Sequence, residues 1–353
     1  CTSALQLLSS GQIIKRRCTE RNAGAVVEVP QTPKNKALNW TPDGESYWTW
    51  QDYKVHYIVR RPKEPLSKEK PIVLVHGFGA NYYHWRYNVF PLVDQGYTVY
   101  CLDLLGFGLS EKPVIPYSPD TWSNQLGNFL REIVKQPAVL AGNSLGGFVA
   151  LATAADYPNE TAGLILLNAA GRYRDPNALE EEIAQSSSVN HNPLKTITQG
   201  VRSLFTKLFF RASFTFVKRP ERIESIIRSV YPVDDSNVDK TLVESIAFPA
   251  RDPKAADVYP LVIRGSKGRY VDDLISSLRS DLPVLLAWGV LDPWIRPAAA
   301  DRFIQVYAQN KGQTDFLRRS NLQAGHCPMD ECPDITNDAI LLWLSEEDSQ
   351  IKW

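Results

Sequence analysis

The sequence predicts an α/β fold: a mostly parallel central sheet with helices on both faces, interrupted by an inserted helical cap. Three observations predict it. Short apolar runs alternate with helical stretches over the first half of the chain and return near its end. From Gly171 to about Leu282 that alternation stops, and helical patterns continue without a clear buried strand. Finally, Gly142-Asn143-Ser144-Leu145-Gly146 lies directly between an apolar run and an Ala-rich helical pattern.

In chain order, residues 1–45 read as a flexible segment rich in Ser, Thr, Lys and Arg, in which Glu20 is the only acidic residue of the first 27. That composition suits the remnant of an organellar targeting peptide or a plain tail. Tyr47–Trp50 and Val55–Val59 flank Gln51-Asp52-Tyr53-Lys54 as an antiparallel hairpin. Strands are expected over 72–75, 97–102, 138–141, 164–167 and 284–288, with 46–170 and 283–353 forming the core. A further strand-like run, Asp315-Phe316-Leu317, precedes a loop and the final helix. The cap is expected at 171–282. Within it Val201, Leu204, Phe205, Leu208, Phe209 and Ala212 share one helical face, and Arg202, Lys207 and Arg211 flank it. Such a helix either closes a greasy pocket or lies on an anionic membrane surface.

Composition narrows the function. A chain of 353 residues with 44% hydrophobic content buries a large core. Its 39 Lys and Arg balance 39 Asp and Glu, which excludes a dominant nucleic-acid footprint. No apolar run reaches the roughly 18 residues that a spanning helix needs. The five cysteines, at 1, 18, 101, 327 and 332, match neither a disulfide framework nor a zinc site, and reduced thiols are expected.

The pentapeptide around Ser144 matches G-x-S-x-G, the nucleophile elbow of α/β-hydrolases. In that fold the nucleophile, acid and base follow in the order Ser, Asp or Glu, His, which here selects Ser144, Asp292 and His326. Asp292 falls just past an apolar strand and His326 in the loop Gln323–Pro328, where a parallel sheet places its chemistry. Of the other histidines, His56, His84 and His191 fit packing or surface roles, and His76 braces the loop that it opens. That loop, His76-Gly77-Phe78-Gly79, follows the apolar run Pro71–Val75, so the N–H groups of Phe78 and Leu145 are the expected oxyanion donors. Hydrolysis by this set needs no metal or organic cofactor.

Beyond these elements, the chain resembles the plastid α/β-hydrolases that dephytylate chlorophyll pigments, the chlorophyll dephytylase and pheophytinase group. The residues that carry the resemblance are His76–Ala80 with His84-Trp85-Arg86, Asp103–Pro113, Gly142–Gly147, Trp288–Trp294 and Gly325–Glu331. The cap segment Val230-Tyr231 through Asn237-Val238-Asp239 is similar as well. The H-G-F-G and D-x-x-G-F-G-x-S elements also occur in haloalkane dehalogenases, epoxide hydrolases and carbon–carbon bond hydrolases. The first two need an Asp at the elbow, which Ser144 replaces. The resemblance implies a phytylated chlorin substrate and a chloroplast location in the stroma or on the thylakoid surface, and the apolar and basic helix face of the cap is the expected place of any peripheral contact with that membrane. A general carboxylesterase or lipase, a carbon–carbon bond hydrolase and a non-catalytic binding protein of the same fold are the alternatives. The oligomeric state stays open.

Overall fold

The computed structural model describes residues 37–64, 69–175, 213–265 and 268–353. The expected basic and aromatic helix face at 201–212, His191, and residues 1–36 of the N-terminal segment lie outside these described residues.

Eight strands form one sheet in the order β1-β2-β4-β3-β5-β6-β7-β8. β1 (Ser46–Trp50) and β2 (Tyr53–Arg60) are the expected hairpin. Its two turn residues, Gln51 and Asp52, both take positive φ, the twist a tight hairpin requires. β2 pairs antiparallel with β4 (Thr98–Leu102), and every later pairing is parallel. β3 (Pro71–Val75), β5 (Ala138–Asn143), β6 (Thr161–Leu167) and β7 (Val284–Gly289) are buried along their whole length, because helices cover both faces.

The period of two divides the core. Val73, Leu140, Leu164 and Leu286 point to one face, where they join Phe129, Val149 and Phe303. These last three belong to α2 (Pro119–Phe129), α3 (Leu145–Asp156) and α8 (Ala298–Lys311). Ile72, Leu74, Val139 and Leu285 point to the other face and meet Leu92, Trp343 and Leu344. There the covering helices are α1 (Val89–Asp94) and α10 (Pro333–Glu347), the latter preceded by the single turn α9 (Pro328–Glu331).

Between β6 and β7 the described residues contain helices and no strand: α4 (Pro220–Ser229), α5 (Lys240–Ala247), α6 (Ala255–Arg264) and α7 (Val271–Ser277). α7 packs on α3 and α8, beside the sheet. No helix of the described residues is long and apolar enough to cross a membrane.

One strand departs from expectation. The run Asp315-Phe316-Leu317 leads into β8 (Leu317–Leu322) and shares only Leu317 with it. Leu-Arg-Arg-Ser-Asn-Leu carries apolar residues only at its ends, because β8 is the edge strand and most of its side chains are partly or fully exposed. A hydrophobicity signal cannot find such a strand.

Candidate active site

Ser144 closes β5 and opens α3 with φ 55° and ψ −118°, outside the ordinary region for a residue with a side chain. The turn is held by its neighbours. The Ser144 N–H donates to Leu167 O at 3.0 Å, and its carbonyl accepts from Ala170 N at 2.9 Å. The flanking glycines are forced by close backbone approach. A Cβ at Gly142 would collide with the carbonyl oxygen of Gly146, and one at Gly146 with the carbonyl oxygens of Val75 and His76. The strained residue therefore sits where three backbone segments meet, a position that only the surrounding structure can enforce.

Asp292 and His326 arrive from the loops after β7 and β8. His326 Nδ1 lies 2.7 Å from Asp292 Oδ2. Both side chains are almost completely buried. Three further donors saturate the carboxylate: Asn168 Nδ2 at 2.7 Å on Oδ2, then the backbone N–H groups of Trp294 at 2.7 Å and Ile295 at 3.0 Å on Oδ1. The four N–H donors fix the carboxylate in place, and its contact with Nδ1 orients the imidazole so that Nε2 is the ring nitrogen left without a carboxylate partner. Trp294 stands against the imidazole at 5.0 Å between ring centres.

Two asparagines were not assigned by the sequence reading, and both brace this arrangement. Asn168, at the end of β6 with φ 43°, accepts from Gly289 N at 2.9 Å while its amide holds Asp292. Asn143 donates to Leu167 O at 3.1 Å and to His326 O at 2.8 Å, which joins the strand end beside Ser144 to the loop of the histidine. The usable signal was a polar residue at the end of an otherwise apolar strand.

The loop after β3 follows a similar logic. His76 Nε2 accepts from Leu104 N at 3.0 Å, and its Nδ1 donates to Gly77 O at 2.7 Å. Burial pushes the His76 pKa down, so the ring is a neutral brace. Neither Phe78 N nor Leu145 N has a backbone acceptor among the described residues. Leu145 is the first residue of α3, so its N–H has no intrahelical partner. Asp103 anchors the neighbouring loop by accepting from Tyr82 N at 2.6 Å, Leu109 N at 2.9 Å and His56 Nδ1 at 2.9 Å. Burial opposes its charge, but the bond from His56 and the nearby imidazoles hold its carboxyl below the usual range.

A cavity of about 470 Å³ opens on these residues, lined by Ser144, His326, Gly77 and Phe78 from the core loops. Its remaining wall includes Phe214, Ile223 and Ile227 near and on α4, with Val258 and Tyr259 on α6. The wall is mainly apolar, and its charged side chains among the described residues are Lys112 and Lys218. Phe78 and Trp294 at the cavity are 48% and 59% exposed, so large apolar groups are presented to solvent at the site. His84 also lines the cavity. Assigned to packing from sequence, it is buried but bonds through Nε2 to Tyr231 OH at 2.8 Å. Burial, aided by the Arg86 charge, pushes its pKa down to about 3. His56, in contrast, is a buried packing residue paired with Asp103.

The family model for the Alpha/beta hydrolase family matches residues 72–339, which takes in both sets of loops. The chain belongs to the alpha/beta hydrolase family. It is 26% identical over 319 residues to "Pheophytinase, chloroplastic" of Arabidopsis thaliana, covering 79% of this chain but 62% of that one, somewhat under two thirds of its length. It is also 26% identical over 280 residues to "Lipase 3" of Moraxella sp. strain TA144, covering 76% of each. Among solved structures, a putative lipase from Acinetobacter baumannii superimposes with a TM-score of 0.64 at 19% identity, over 87% of this chain and 93% of the other. This chain therefore shares its fold with a lipase, and its sequence relatives include a chloroplast pheophytinase.

Proposed function

We propose that this hydrolase is a serine esterase that removes the phytyl chain from chlorophyll or pheophytin, giving chlorophyllide or pheophorbide and phytol. The observation that carries the reading is the saturated Asp292–His326 pair at an apolar cavity that Ser144 also lines. His326 Nε2 takes the Ser144 proton as Oγ attacks the ester carbonyl, and Asp292 stabilises the imidazolium. The free N–H groups of Phe78 and Leu145 receive the oxyanion. His326 then passes the proton to the departing phytol oxygen. Water, deprotonated by the same nitrogen, adds to the acyl-enzyme, and the carboxylic acid leaves as Ser144 regains its proton.

The apolar wall suits a long isoprenoid chain, and the pheophytinase relative supports a pigment substrate and a chloroplast location. Exposed Phe78 and Trp294 support peripheral contact with the thylakoid, where such a substrate resides. The Moraxella relative favours one second reading, a lipase of broader range. Incubation with chlorophyll a, pheophytin a and a p-nitrophenyl ester separates the two. Phytol release by the wild type, abolished in a folded Ser144→Ala variant, is the expected result. Turnover of the short ester alone would assign the lipase reading, and phytol release by Ser144→Ala would overturn the mechanism.

A further inference from the structure

The loop that carries His326 is fastened from two sides. The core contributes the bond from Asn143 to His326 O and the contact with Asp292. The other side is the segment after α4, which the chain inserts between β6 and β7. There the His326 N–H donates to Val230 O at 3.1 Å. Asn237 Nδ2 donates to Asp330 O at 2.7 Å, and Tyr231 OH donates to Asp330 Oδ2 at 2.8 Å. Glu331 completes the junction. One of its carboxylate oxygens accepts from Val233 N at 2.7 Å, and the other accepts from Gly325 N, the residue before the histidine. Glu331 is 1% exposed and has no role in the chemistry proposed above.

We infer that Glu331 is a positioning residue for the base: by gripping Gly325 and Val233 at once, it ties the His326 loop to the Val230–Asp239 segment, so that this segment sets the imidazole against Ser144. The inference rests on the triad reading. Its physical basis is that a carboxylate accepts on both oxygens while an amide accepts on one and donates from the other. Gln at this position leaves either the buried Gly325 N–H or the part-buried Val233 N–H facing a donor, and the loop must shift to relieve it. Val230 and Ile227 also line the cavity, so an occupant of the apolar wall presses on the very segment that holds the base.

The test is Glu331→Gln together with Asn237→Leu, which loosens the same junction from its far side without touching the carboxylate. Hydrolysis of p-nitrophenyl butyrate is normalised to the active sites counted with a fluorophosphonate that labels Ser144. Both variants should lose about tenfold in kcat at unchanged KM, the signature of a reacting group displaced from its transition-state position. Full kcat in either folded, labelled variant would overturn the inference, as would a rise in KM at unchanged kcat. If Glu331→Gln fails to fold, Asn237→Leu decides alone. Activity in Ser144→Ala would sink the triad reading instead, whatever these two variants do.

Discussion

Replacing Asp292 with Asn separates the acid's role in orientation from its role in stability. The carboxylate accepts four N–H bonds, two on each oxygen. An Asn amide can accept on one atom only. If its oxygen takes the backbone N–H groups of Trp294 and Ile295, its NH2 faces His326 Nδ1–H and the Asn168 amide. The imidazole relieves its half by moving the proton to Nε2 and accepting at Nδ1. One donor–donor contact with Asn168 remains, at about 1–3 kcal/mol. The opposite orientation leaves two backbone donors unpaired and is worse. The fold therefore survives with modest destabilisation, but the nitrogen facing the nucleophile now carries a proton and cannot act as a base. In a triad that tautomer lowers kcat by ~10⁴, or about 5 kcal/mol of barrier. Steady-state hydrolysis of p-nitrophenyl butyrate gives the first quantity and urea unfolding the second. A folded Asp292→Asn enzyme within tenfold of wild-type kcat would refute the assignment of acid and tautomer together.

Two further outcomes follow from the same geometry. Gly146→Ala places a methyl group against two main-chain carbonyl oxygens, so the urea midpoint should fall by the equivalent of at least about 1–3 kcal/mol, and unchanged stability would contradict the close approach described. His84 is held neutral, with its pKa depressed to about 3, whereas the unfolded imidazole titrates near 6.5. Its contribution to stability is thus present above about pH 6.5 and is lost as pH falls from there toward the folded value, by about 1.4 kcal/mol per pH unit. The slope of unfolding free energy against pH between 6.5 and 4.5 should flatten by one proton in His84→Gln, and an unaltered slope would show that His84 is charged in the fold.

Much of this fold was legible because its signals are local. Each of β3 to β7 is an apolar run between turn residues, and the elbow spells out a strand, a strained turn and a helix in consecutive letters. The contact of Asp292 with His326 at a cavity that Ser144 also lines could be anticipated because topology constrains the order of such residues. β8 could not, since an exposed edge strand carries no apolar pattern. The bracing roles of Asn168 and Glu331 were not legible for a different reason. Asp292 for Asn168, and Val233 as one of the two partners of Glu331, are remote in sequence, and nothing in the spacing of one chain reports such pairings. His84 is buried, as its packing role requires, but its place at the cavity was not legible because the tertiary arrangement sets it.

The bond from Asn143 to His326 O spans 183 positions, and it joins the middle of the chain to a loop that follows the last strand of the sheet. A ribosome therefore completes the segment bearing Ser144 long before it has made the base. During that interval β7 and β8 are also missing, so the parallel sheet lacks one flank and its final helices. Long-range pairing of this kind comes late and slowly in folding. On the proposed mechanism, ester cleavage is withheld until nearly the whole chain has emerged, and a copy that ends before residue 326 lacks the proposed base.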